Sequence, residues 1–250
     1  MNFNQKIKMY KQSDFIKRYK AFTDKFLVRG FVKRLYPDIL IPLLGRWETA
    51  DDIDFDSLPN KFVLKATHGY AMNIVVKDKS KINLIDTRKK LNRWIDTDFG
   101  KKSKQYQYPE HGTIICEEFL EFQPLIDYKF YCFYGVVDCC RVIYRDVKIK
   151  SKKMVDMNFS RIDGGMDKVD NPPSFLNIPY NFEDMKKIAS RLSTNFPHVR
   201  VDLYNPVKDK IFFGELTFTS ANGTGNYNNE ISRRLSNSFD LTEVIEYGGK

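Results

Sequence analysis

The stretch Val199–Gly223 limits the possible fold of this chain more than any other, because it contains two segments of alternating polarity. In residues 199–204 and again in residues 212–219, apolar and polar side chains follow each other in turn, which is the pattern of a half-buried strand. Residues 205–210 between them are polar and include an Asn-Pro pair, which is typical of a turn. The stretch therefore predicts a β-hairpin with one polar face.

The polar face of this predicted hairpin has the side chains of a metal site. Strict alternation puts Arg200 and Asp202 on one face of the first strand. It puts Phe213, Glu215 and Thr217 on one face of the second. Two close carboxylates repel each other unless a cation lies between them, and their oxygens suit Mg²⁺, which also takes waters and substrate phosphates. An ordinary hairpin with a charged outer face is the alternative.

Composition and charge limit the classes of partner. The chain has 250 residues, 42% of them hydrophobic and 29% charged, as expected for a soluble globular protein of one large domain or two small lobes. The formal net charge of +9 favours acidic partners such as nucleotide phosphates, acidic sugars or an anionic membrane surface. The sequence contains no zinc-finger spacing, RGG tract or RNP-type aromatic motif, so a nucleic-acid partner is not expected.

The cysteines and the N-terminal sequence bear on metal binding and on localisation. No Cys-x-x-Cys motif occurs and only three histidines are present, so a zinc site is not expected. The cysteines lie in apolar segments and are predicted to be buried thiols in a reducing compartment: Cys116, Cys132, Cys139 and Cys140. The N-terminal residues do not resemble a signal peptide, and the longest apolar run, Ile39–Leu44, is too short to cross a bilayer. We expect a cytoplasmic protein, with peripheral association by charge at the inner face of the membrane as a further expectation.

The residue pattern predicts an α+β chain. Residues 2–35 are predicted to be helical, and two further helices are predicted at N-caps Asp86 and Asn181. Besides the hairpin, strands are predicted at 61–65, 74–77, 112–120, 127–133 and 136–144. Residues 146–180 are expected to be irregular or to hold short strands. This order favours two sheets enclosing a cleft, with an N-terminal helical region and linker at 1–57, a small lobe at 58–120 and a large lobe at 121–250.

Two further motifs precede the hairpin. Lys65 ends a predicted strand beside a loop with His68 and Gly69, where an ammonium group and backbone amides can bind phosphate. Residues 117–120 (Glu-Glu-Phe-Leu) end another apolar strand, where exposed backbone groups can pair with an adenine edge. Each motif alone is weak evidence, but their order before Arg-x-Asp and Glu-x-Thr is informative.

This order resembles the ATP-grasp superfamily, and in particular the TupA-like ATP-grasp family, whose members are encoded with enzymes of teichuronopeptide, capsule and O-antigen synthesis. Five stretches carry the resemblance: Thr23–Arg29 (TDKFLVR), Leu58–Gly69 (LPNKFVLKATHG), Ile115–Leu120 (ICEEFL), Asp127–Gly135 (DYKFYCFYG) and Phe196–Phe218 (FPHVRVDLYNPVKDKIFFGELTF). The resemblance implies an α+β ATP-grasp fold. In it two α+β lobes hold ATP between two antiparallel sheets, here preceded by a reduced N-terminal helical region.

The resemblance also implies which residues bind ATP. They are Lys25 and Lys65 at the phosphates, His68 and Gly69 in the phosphate loop, Glu117, Glu118, Phe119 and Leu120 at the adenine, and Asp127 and Lys129 at ribose or phosphate. Backbone groups of Glu118 and Leu120 would pair with the base. Lys65 is also one of two implied catalytic residues.

The other implied roles lie in the hairpin. Asp202 and Glu215 would hold Mg²⁺, and Arg200, the second implied catalytic residue, would steady the acyl phosphate and the tetrahedral intermediate. The chain departs from the wider superfamily at Thr217, where the superfamily has Asn, and Thr is a poorer metal ligand than Asn. It also lacks two glycines in the loop His68–Asn73, where relatives resemble HGSGGN and glycine lets backbone approach phosphate.

The expected function is an ATP- and Mg²⁺-dependent carboxylate–amine ligase of bacterial surface polysaccharide biosynthesis. It would join an amine or amino acid to a uronic acid or acidic glycan through an acyl phosphate, near other polysaccharide-biosynthesis proteins at the inner membrane surface. Candidate substrate-contacting residues are Arg145, Arg161 and Asn222. The alternatives are an ATP-grasp kinase, a glycosyltransferase with a DxD-type motif at 96–98, and a catalytically weak nucleotide-binding protein.

Overall fold

The computed structural model of the protein describes residues 1–121, 125–145, 150–162, 177–207 and 210–248. The strands are β1 (Leu43–Trp47), β2 (Phe62–Ala66), β3 (Asn73–Val76), β4 (Ile114–Glu118), β5 (Leu125–Phe133), β6 (Val136–Arg145), β7 (Lys150–Val155), β8 (Arg161–Ile162), β9 (Val199–Val207) and β10 (Lys210–Thr217). The α-helices are α1 (Phe3–Gln12), α2 (Lys20–Thr23), α3 (Leu27–Leu35), α4 (Leu84–Ile95), α5 (Phe99–Ser103), α6 (Phe182–Ser193), α7 (Asn229–Ser238) and α8 (Thr242–Gly248). Short 3₁₀ helices lie at Asp14–Tyr19, Pro37–Ile39, Lys79–Lys81 and Ser220–Gly223.

Internal contacts group the residues into two compact units. The large unit contains residues 1–15 and 122–250, and the small unit contains residues 16–121. The expected division was 1–57, 58–120 and 121–250; in the structure, residues 16–57 group with the small unit and residues 1–15 with the large one. Each unit has its own antiparallel sheet, which agrees with the predicted α+β class.

The small unit is built on a four-stranded sheet in the order β1-β4-β2-β3. Its apolar face packs with Phe55, Leu58 and Leu91 in one core. The region expected to be helical and linker, residues 1–57, also contains an edge strand, Leu43–Trp47, which is paired with β4. Gly45 fits under the Trp47 indole, where a Cβ would lie 2.2 Å from a ring carbon. This strand escapes a periodicity search because its pairing with β4, not its own alternation, defines it.

The large unit is built on a six-stranded sheet in the order β10-β9-β5-β6-β7-β8. Buried side chains of β5, β6 and β9 face α6, whose apolar residues are also buried. For example, the rings of Phe130 and Phe182 lie 5.8 Å apart. Because side chains alternate across a strand, the opposite face of β5 and β9 carries the intervening residues, which include Asp127, Lys129 and Asp202. The fold therefore separates an apolar face from a charged face on the same strands.

Helix α1 belongs to the large unit. It begins with a capping box in which Asn2 and Gln5 exchange hydrogen bonds of 2.8 and 2.9 Å, an arrangement that satisfies two backbone donors at once. Phe3 is fully buried and its ring contacts Tyr131, His198 and Tyr227 edge-on. The helix thus reaches the residues that follow β10.

Several predicted elements are confirmed and others need correction. Short strands β7 and β8 lie in the expected irregular segment, the rest of which is partly outside the described residues. The N-cap of α4 is Asn83 and not Asp86, since the side-chain oxygen Oδ1 of Asn83 accepts from the Asp86 backbone amide at 3.1 Å. Asn181 lies at the N-cap of α6, but its side chain pairs with Asn205 at 2.7 and 3.2 Å.

The four cysteines are buried thiols, as predicted. Among the described helices none has the length and apolarity needed to cross a membrane.

Candidate functional site

A β-bulge brings Asp202 and Glu215 opposite each other. Leu203 pairs with Phe213, while Asp202 pairs with Glu215, so β10 has one extra residue, Gly214, between these pairs. Strict alternation had placed Phe213 and Glu215 on one face, and this is wrong: Phe213 is buried, whereas the Glu215 side chain is 40% exposed. In a regular register Glu215 would oppose Val201 and face the apolar core.

Gly214 suits this bulge because space there is limited. A Cβ at this position would lie 3.0 Å from the backbone oxygen of Asp202 and 3.1 Å from the ring of Tyr204. A side chain would therefore push against the strand that carries Asp202. Gly214 was the signal for the bulge in the sequence, because a glycine inside a strand often marks a bulge or a close backbone approach.

Arg200 joins the polar residues of the hairpin. Its Nε and Nη2 atoms donate to the two oxygens of Asp202 at 2.7 and 2.8 Å, a two-point ion pair. Nη2 also lies 3.4 Å from Glu215 Oε1 and 3.1 Å from Thr217 Oγ1. The Thr217 hydroxyl donates to Glu215 Oε1 at 2.9 Å. In this structure Thr217 orients Glu215 and contacts Arg200.

Lys129 lies between two buried carboxylates of the same unit. It is opposite Asp202 in the sheet register, forms an ion pair with Asp202, and approaches Asp127 Oδ2 to 2.8 Å. Burial would raise the pKa of Asp202, but Arg200 and Lys129 outweigh burial and hold this pKa below its usual range. Burial raises the pKa of Asp127, and Lys129 offsets this only in part. Asp202 is therefore the carboxylate that most firmly keeps its charge.

These five residues form the large-unit cluster: Asp127, Lys129, Arg200, Asp202 and Glu215. Three carboxylates face two cations, so the cluster as a whole favours a further positive charge. Among the described residues, no set of three or more His, Cys, Asp or Glu side chains is arranged to hold a metal ion. Two carboxylates still fit Mg²⁺, which is usually bound through one or two carboxylates, waters and substrate phosphates.

The small unit has a second buried charge cluster at the ends of β2 and β4. Glu117 lies between two cations, since its Oε1 accepts from Arg29 Nη1 at 2.8 Å and its Oε2 from Lys65. The Glu117 side chain is 9% exposed, and the cations are 15% and 20% exposed. We call Arg29, Lys65 and Glu117 the small-unit cluster. Its two cations and one carboxylate favour a further negative charge.

The loop after β2 is fastened from two sides. Lys25 donates to the carbonyl oxygens of Ala66, at 3.1 Å, and of Gly69. The imidazole of His68 is fully buried and its Nε2 lies 2.9 Å from the Thr97 carbonyl oxygen. Lys25 and Lys65 thus lie in the same unit as His68 and Gly69, but the His68 side chain faces the interior.

An alanine replaces one of the expected glycines in this loop. Ala71 has φ 57°, a left-handed conformation that glycine adopts at less cost. Tyr70 packs edge-on against Phe99 with ring centroids 4.9 Å apart, and Met72 is buried with Ala66 and Phe99. Apolar packing therefore holds a loop that glycines would leave more adaptable.

The segment expected at adenine follows β4. The strand ends at Glu118, whose side chain is exposed, and Phe119 and Leu120 are half-buried. The Glu118 amide already donates to the Pro42 carbonyl at 3.1 Å. The Glu117 side chain belongs to the small-unit cluster, where it pairs with Arg29 and Lys65.

The remaining predicted residues are more scattered. Arg161 is exposed on β8, and the Arg145 side chain lies outside the described residues. The side-chain oxygen of Asn222 accepts from Lys11 Nζ at 2.9 Å. The DxD-type motif caps two helices: Asp96 is the C-cap of α4, and Asp98 is the N-cap of α5.

The sequence reasoning missed Arg29 and Arg141 as well as Gly214. Arg29 lies in the quoted TDKFLVR stretch, yet its partner Glu117 is 88 positions away, so no local pattern points to the pair. Arg141 pairs with Lys129 across β5 and β6. A basic residue at an alternating position of the predicted strand 136–144 was the available signal.

Comparisons with known proteins agree with this architecture. A family model described as TupA-like ATPgrasp matches residues 5–240. D-Alanine–D-alanine ligase from Bacillus anthracis complexed with ATP is similar, with a TM-score of 0.53 and 15% identity over 94% of this chain and 70% of that one. The ATP-grasp ligase PsnB, complexed with a phosphomimetic variant of its minimal precursor, Mg and ADP, has a TM-score of 0.51 and 12% identity over 89% of this chain.

These likenesses have a defined scope. The chain spans 60% of the PsnB chain, and at these identities the similarity shows the fold alone. No curated protein matches the sequence. The predicted ATP-grasp fold is confirmed.

Proposed function

Because the chain belongs to the TupA-like ATP-grasp family, we propose that it is an ATP- and Mg²⁺-dependent ligase that joins a carboxylate to an amine through an acyl phosphate. The observation that carries this proposal is the large-unit cluster, in which Asp202 and Glu215 oppose each other beside Arg200. This arrangement offers two oxygen ligands for a cation and one guanidinium for an oxyanion.

The residues of the large unit would have these roles. Asp202 and Glu215 would hold Mg²⁺, which when bound supplies charge neutralisation at the transferring phosphates. Arg200 would contact the reacting carboxylate, and its bond to Asp202 fixes the direction of the guanidinium. Thr217 keeps Glu215 and Arg200 in one geometry. Lys129 would turn from Asp202 to a phosphate or to the ribose when the cation binds.

The residues of the small unit would bind the nucleotide. Lys65 would contact phosphate oxygens, and its ammonium group is held by Glu117, which also accepts from Arg29. Lys25 would support the loop at His68 and Gly69 by donating hydrogen bonds to the carbonyl oxygens of Ala66 and Gly69. Phe119 and the backbone groups of Glu118 and Leu120 that remain available would receive the adenine.

The proposed reaction has two steps. A carboxylate oxygen of the acid attacks the γ-phosphorus of ATP, the bond to the β-phosphate oxygen breaks, and ADP leaves. The amine then attacks the acyl carbon, loses a proton, and phosphate leaves with the bonding electrons, which yields an amide. Such transfers depend mainly on positioning and charge neutralisation, so no side-chain nucleophile is required.

We propose an acidic sugar or glycan as the carboxylate partner and an amine or amino acid as the second substrate, within cytoplasmic surface-polysaccharide synthesis. The net charge of +9 supports an acidic partner. The packing of Tyr70 and Met72 in the small unit is the observation that favours a slower enzyme or a nucleotide-binding protein as the second candidate.

The test is ADP release in the presence of Mg²⁺ with panels of uronic acids and amines. ADP should appear only when both substrates are present, and the product mass should equal acid plus amine minus water. Glu215→Ala should lower the rate at least ~10³-fold through loss of a metal ligand, whereas Glu183→Ala, on an exposed face of α6, should not. A product heavier by one phosphoryl group would indicate a kinase instead, and full activity of Glu215→Ala would sink the assignment.

A further inference from the structure

The loop after β10 has a strained backbone. Ala221, Asn222 and Gly223 follow one another with φ angles of 50°, 54° and 69°. Two of these three residues are not glycine, and each left-handed non-glycine residue costs energy that the surroundings must offset. Persistent strain of this kind clusters at active sites and ligand-binding loops.

Four contacts within the large unit hold this loop. Asn4 of α1 donates to the Gly225 carbonyl at 2.7 Å and accepts from the Gly225 amide at 3.1 Å. Lys11 donates to Asn222 at 2.9 Å, and His198 contacts Ser220 Oγ at 3.1 Å. Helix α1 and His198, the residue before β9, therefore fix both ends of the strained turn.

The fixed loop delivers Tyr227 to the charged face of the sheet. Its hydroxyl lies 3.3 Å from that of Tyr131, and Phe3 supports the Tyr227 ring edge-on at 5.3 Å. Both Arg200 and Arg141 act electrostatically on Tyr227. Burial raises the pKa of Tyr227 well above its usual value, so the phenol keeps its proton and remains a donor at neutral pH.

The sheet register places Arg141 in the same row as the large-unit cluster. Asp202 pairs with Lys129, and Lys129 pairs with Arg141. Directly paired residues share a face, and Arg141 is half-buried between Cys140 and Val142, which are buried on the other face. Two strand spacings separate Arg141 from Asp202, or about 10 Å between their backbones.

We propose that Arg141 and Tyr227 form a subsite for a second anionic group of the acid substrate, next to the Arg200 that faces its reacting carboxylate; Tyr131 is fully buried, and its hydroxyl contacts that of Tyr227. A guanidinium binds carboxylate and phosphate oxygens in a fork, and the Tyr227 hydroxyl adds one neutral donor beside it when the Tyr131 hydroxyl donates to Tyr227. This inference rests on the proposed ligase function. It narrows the acid substrate to compounds with two acidic groups, such as a phosphorylated uronic acid or a dicarboxylic acid.

The experiment compares acids that differ by one anionic group. Glucuronic acid 1-phosphate is paired with glucuronic acid, and glutarate with butyrate; hydroxylamine replaces the amine, and hydroxamate and ADP are measured. The second pair tells whether the second group can be a carboxylate. The wild-type protein should prefer the dianionic acid in at least one pair, measured as the ratio of kcat/KM values.

Three variants test the subsite. Arg141→Gln should reduce the preference about 10- to 100-fold, as expected for loss of a charged hydrogen bond. Tyr227→Phe should reduce it less, and Arg141→Lys should restore part of it. Arg233→Gln, an exposed arginine of α7, should leave it unchanged. The proposal would be overturned if Arg141→Gln lowered kcat/KM by the same factor for both acids of a pair, or lowered it for neither. It would also be overturned if the wild-type protein had no preference for the dianionic acids.

A binding measurement separates this inference from the proposed reaction. Isothermal titration follows glucuronic acid 1-phosphate into the wild-type protein and into Arg141→Gln without ATP. If no acid gives hydroxamate but the dianion binds the wild-type protein at least ~10-fold more tightly, the subsite stands and the ligase chemistry fails. Equal binding to both proteins rejects the subsite, whatever the outcome for the reaction.

Discussion

Each unit of this protein buries a carboxylate between a lysine and an arginine, but the two clusters differ in the sign of their excess charge. In the small unit Glu117 alone balances Arg29 and Lys65. In the large unit Asp202 lies between Arg200 and Lys129, and two further carboxylates lie nearby. The same local motif thus has an excess of positive charge in the small unit and an excess of negative charge in the large unit.

This difference indicates what each cluster can bind. Excess positive charge favours an anion such as phosphate, and excess negative charge favours a cation. The geometry differs too: Lys129 directly opposes Asp202, whereas Lys65 and Glu117 are diagonal neighbours in a regular register. The Lys65 side chain is 20% exposed and the Lys129 side chain 12% exposed, so the Lys65 ammonium group is the more accessible of the two.

The largest expected effect comes from neutralising each buried carboxylate. Asp202→Asn should lower Mg²⁺-dependent ADP formation at least ~10³-fold through loss of a ligand. In Glu117→Gln, ADP formation should remain dependent on Mg²⁺. Each change breaks buried ion pairs and should lower the free energy of unfolding by about 3–5 kcal/mol. Urea unfolding and ADP assays measure both effects.

The control for this pair is Asp184→Asn, because Asp184 forms an exposed ion pair with Lys187 on α6. It should change the free energy of unfolding by less than about 1 kcal/mol. If Glu117→Gln and Asp202→Asn lost Mg²⁺ dependence equally, the two clusters would not differ as described.

The next effect separates the two lysines. Lys129→Met removes the ammonium group from Asp202 and should tighten Mn²⁺ binding in the absence of nucleotide about 10-fold. Lys65→Met should leave Mn²⁺ binding unchanged and weaken ATP binding about 10- to 100-fold through loss of charged hydrogen bonds. Electron paramagnetic resonance measures free Mn²⁺, and titration calorimetry measures ATP binding.

The matched control is Lys187→Met, since the Lys187 side chain is 74% exposed. Both affinities should stay at their wild-type values in this variant. Weaker Mn²⁺ binding by Lys129→Met would show that the ammonium group does not compete for the cation position.

The sequence was sufficient for features that a local pattern defines. The strands 127–133 and 136–144 match β5 and β6 to within two residues at each end, because long alternation in an apolar segment has few other solutions. The hairpin that carries Arg200, Asp202 and Glu215 was predictable from its two alternating segments. Helix α6 and its N-cap residue Asn181 were predictable from the sequence, although the Asn181 side chain bonds to Asn205 and not to the helix.

Features that depend on long-range pairing were not accessible. The strand β1 and the contact of Arg29 with Glu117 exist because β1 and α3 meet residues far along the chain. The bulge at Gly214 was also missed, even though Glu215 was correctly placed beside Asp202 for a different reason. A one-residue change in register moves a side chain to the opposite face, so the alternation in FFGEL gives the right faces only if Gly214 is recognised as the extra residue.

The third effect tests whether the bulge sets the spacing of the carboxylates in the large unit. Gly214→Ala adds a Cβ 3.0 Å from the Asp202 backbone oxygen, so Asp202 and Glu215 should move apart by a few tenths of an ångström. We expect about a 10-fold higher Mg²⁺ requirement with a loss of stability near 1 kcal/mol. Gly30→Ala is the control, because a Cβ there meets nothing within 4 Å. An unchanged Mg²⁺ requirement in Gly214→Ala would contradict a role of the bulge in this spacing.

The smallest effect contrasts a buried histidine in each unit. Burial lowers the pKa of His198 from 6.5 to about 3 and also lowers that of His68. The unfolded chain therefore binds more protons than the folded one below pH 6.5, and stability falls as the pH decreases through that range. For His198 the loss between pH 6.5 and pH 5 should be about 2 kcal/mol.

Variants assign this acid lability to each unit. His198→Gln should make the unfolding free energy depend less steeply on pH between 6.5 and 5. The reduction in slope should correspond to about one proton, which is the extra proton that the unfolded state binds at His198. His68→Gln should reduce the slope by the same amount or less, because the Thr97 carbonyl that contacts its Nε2 opposes the effect of burial on the pKa. Hydrogen exchange at both pH values shows which unit opens. Protection lost first around β9 and the loop at 220–225 would place the weaker point in the large unit, where His198 holds Ser220. An unchanged pH dependence in His198→Gln would mean that buried carboxylates, and not this histidine, control acid unfolding.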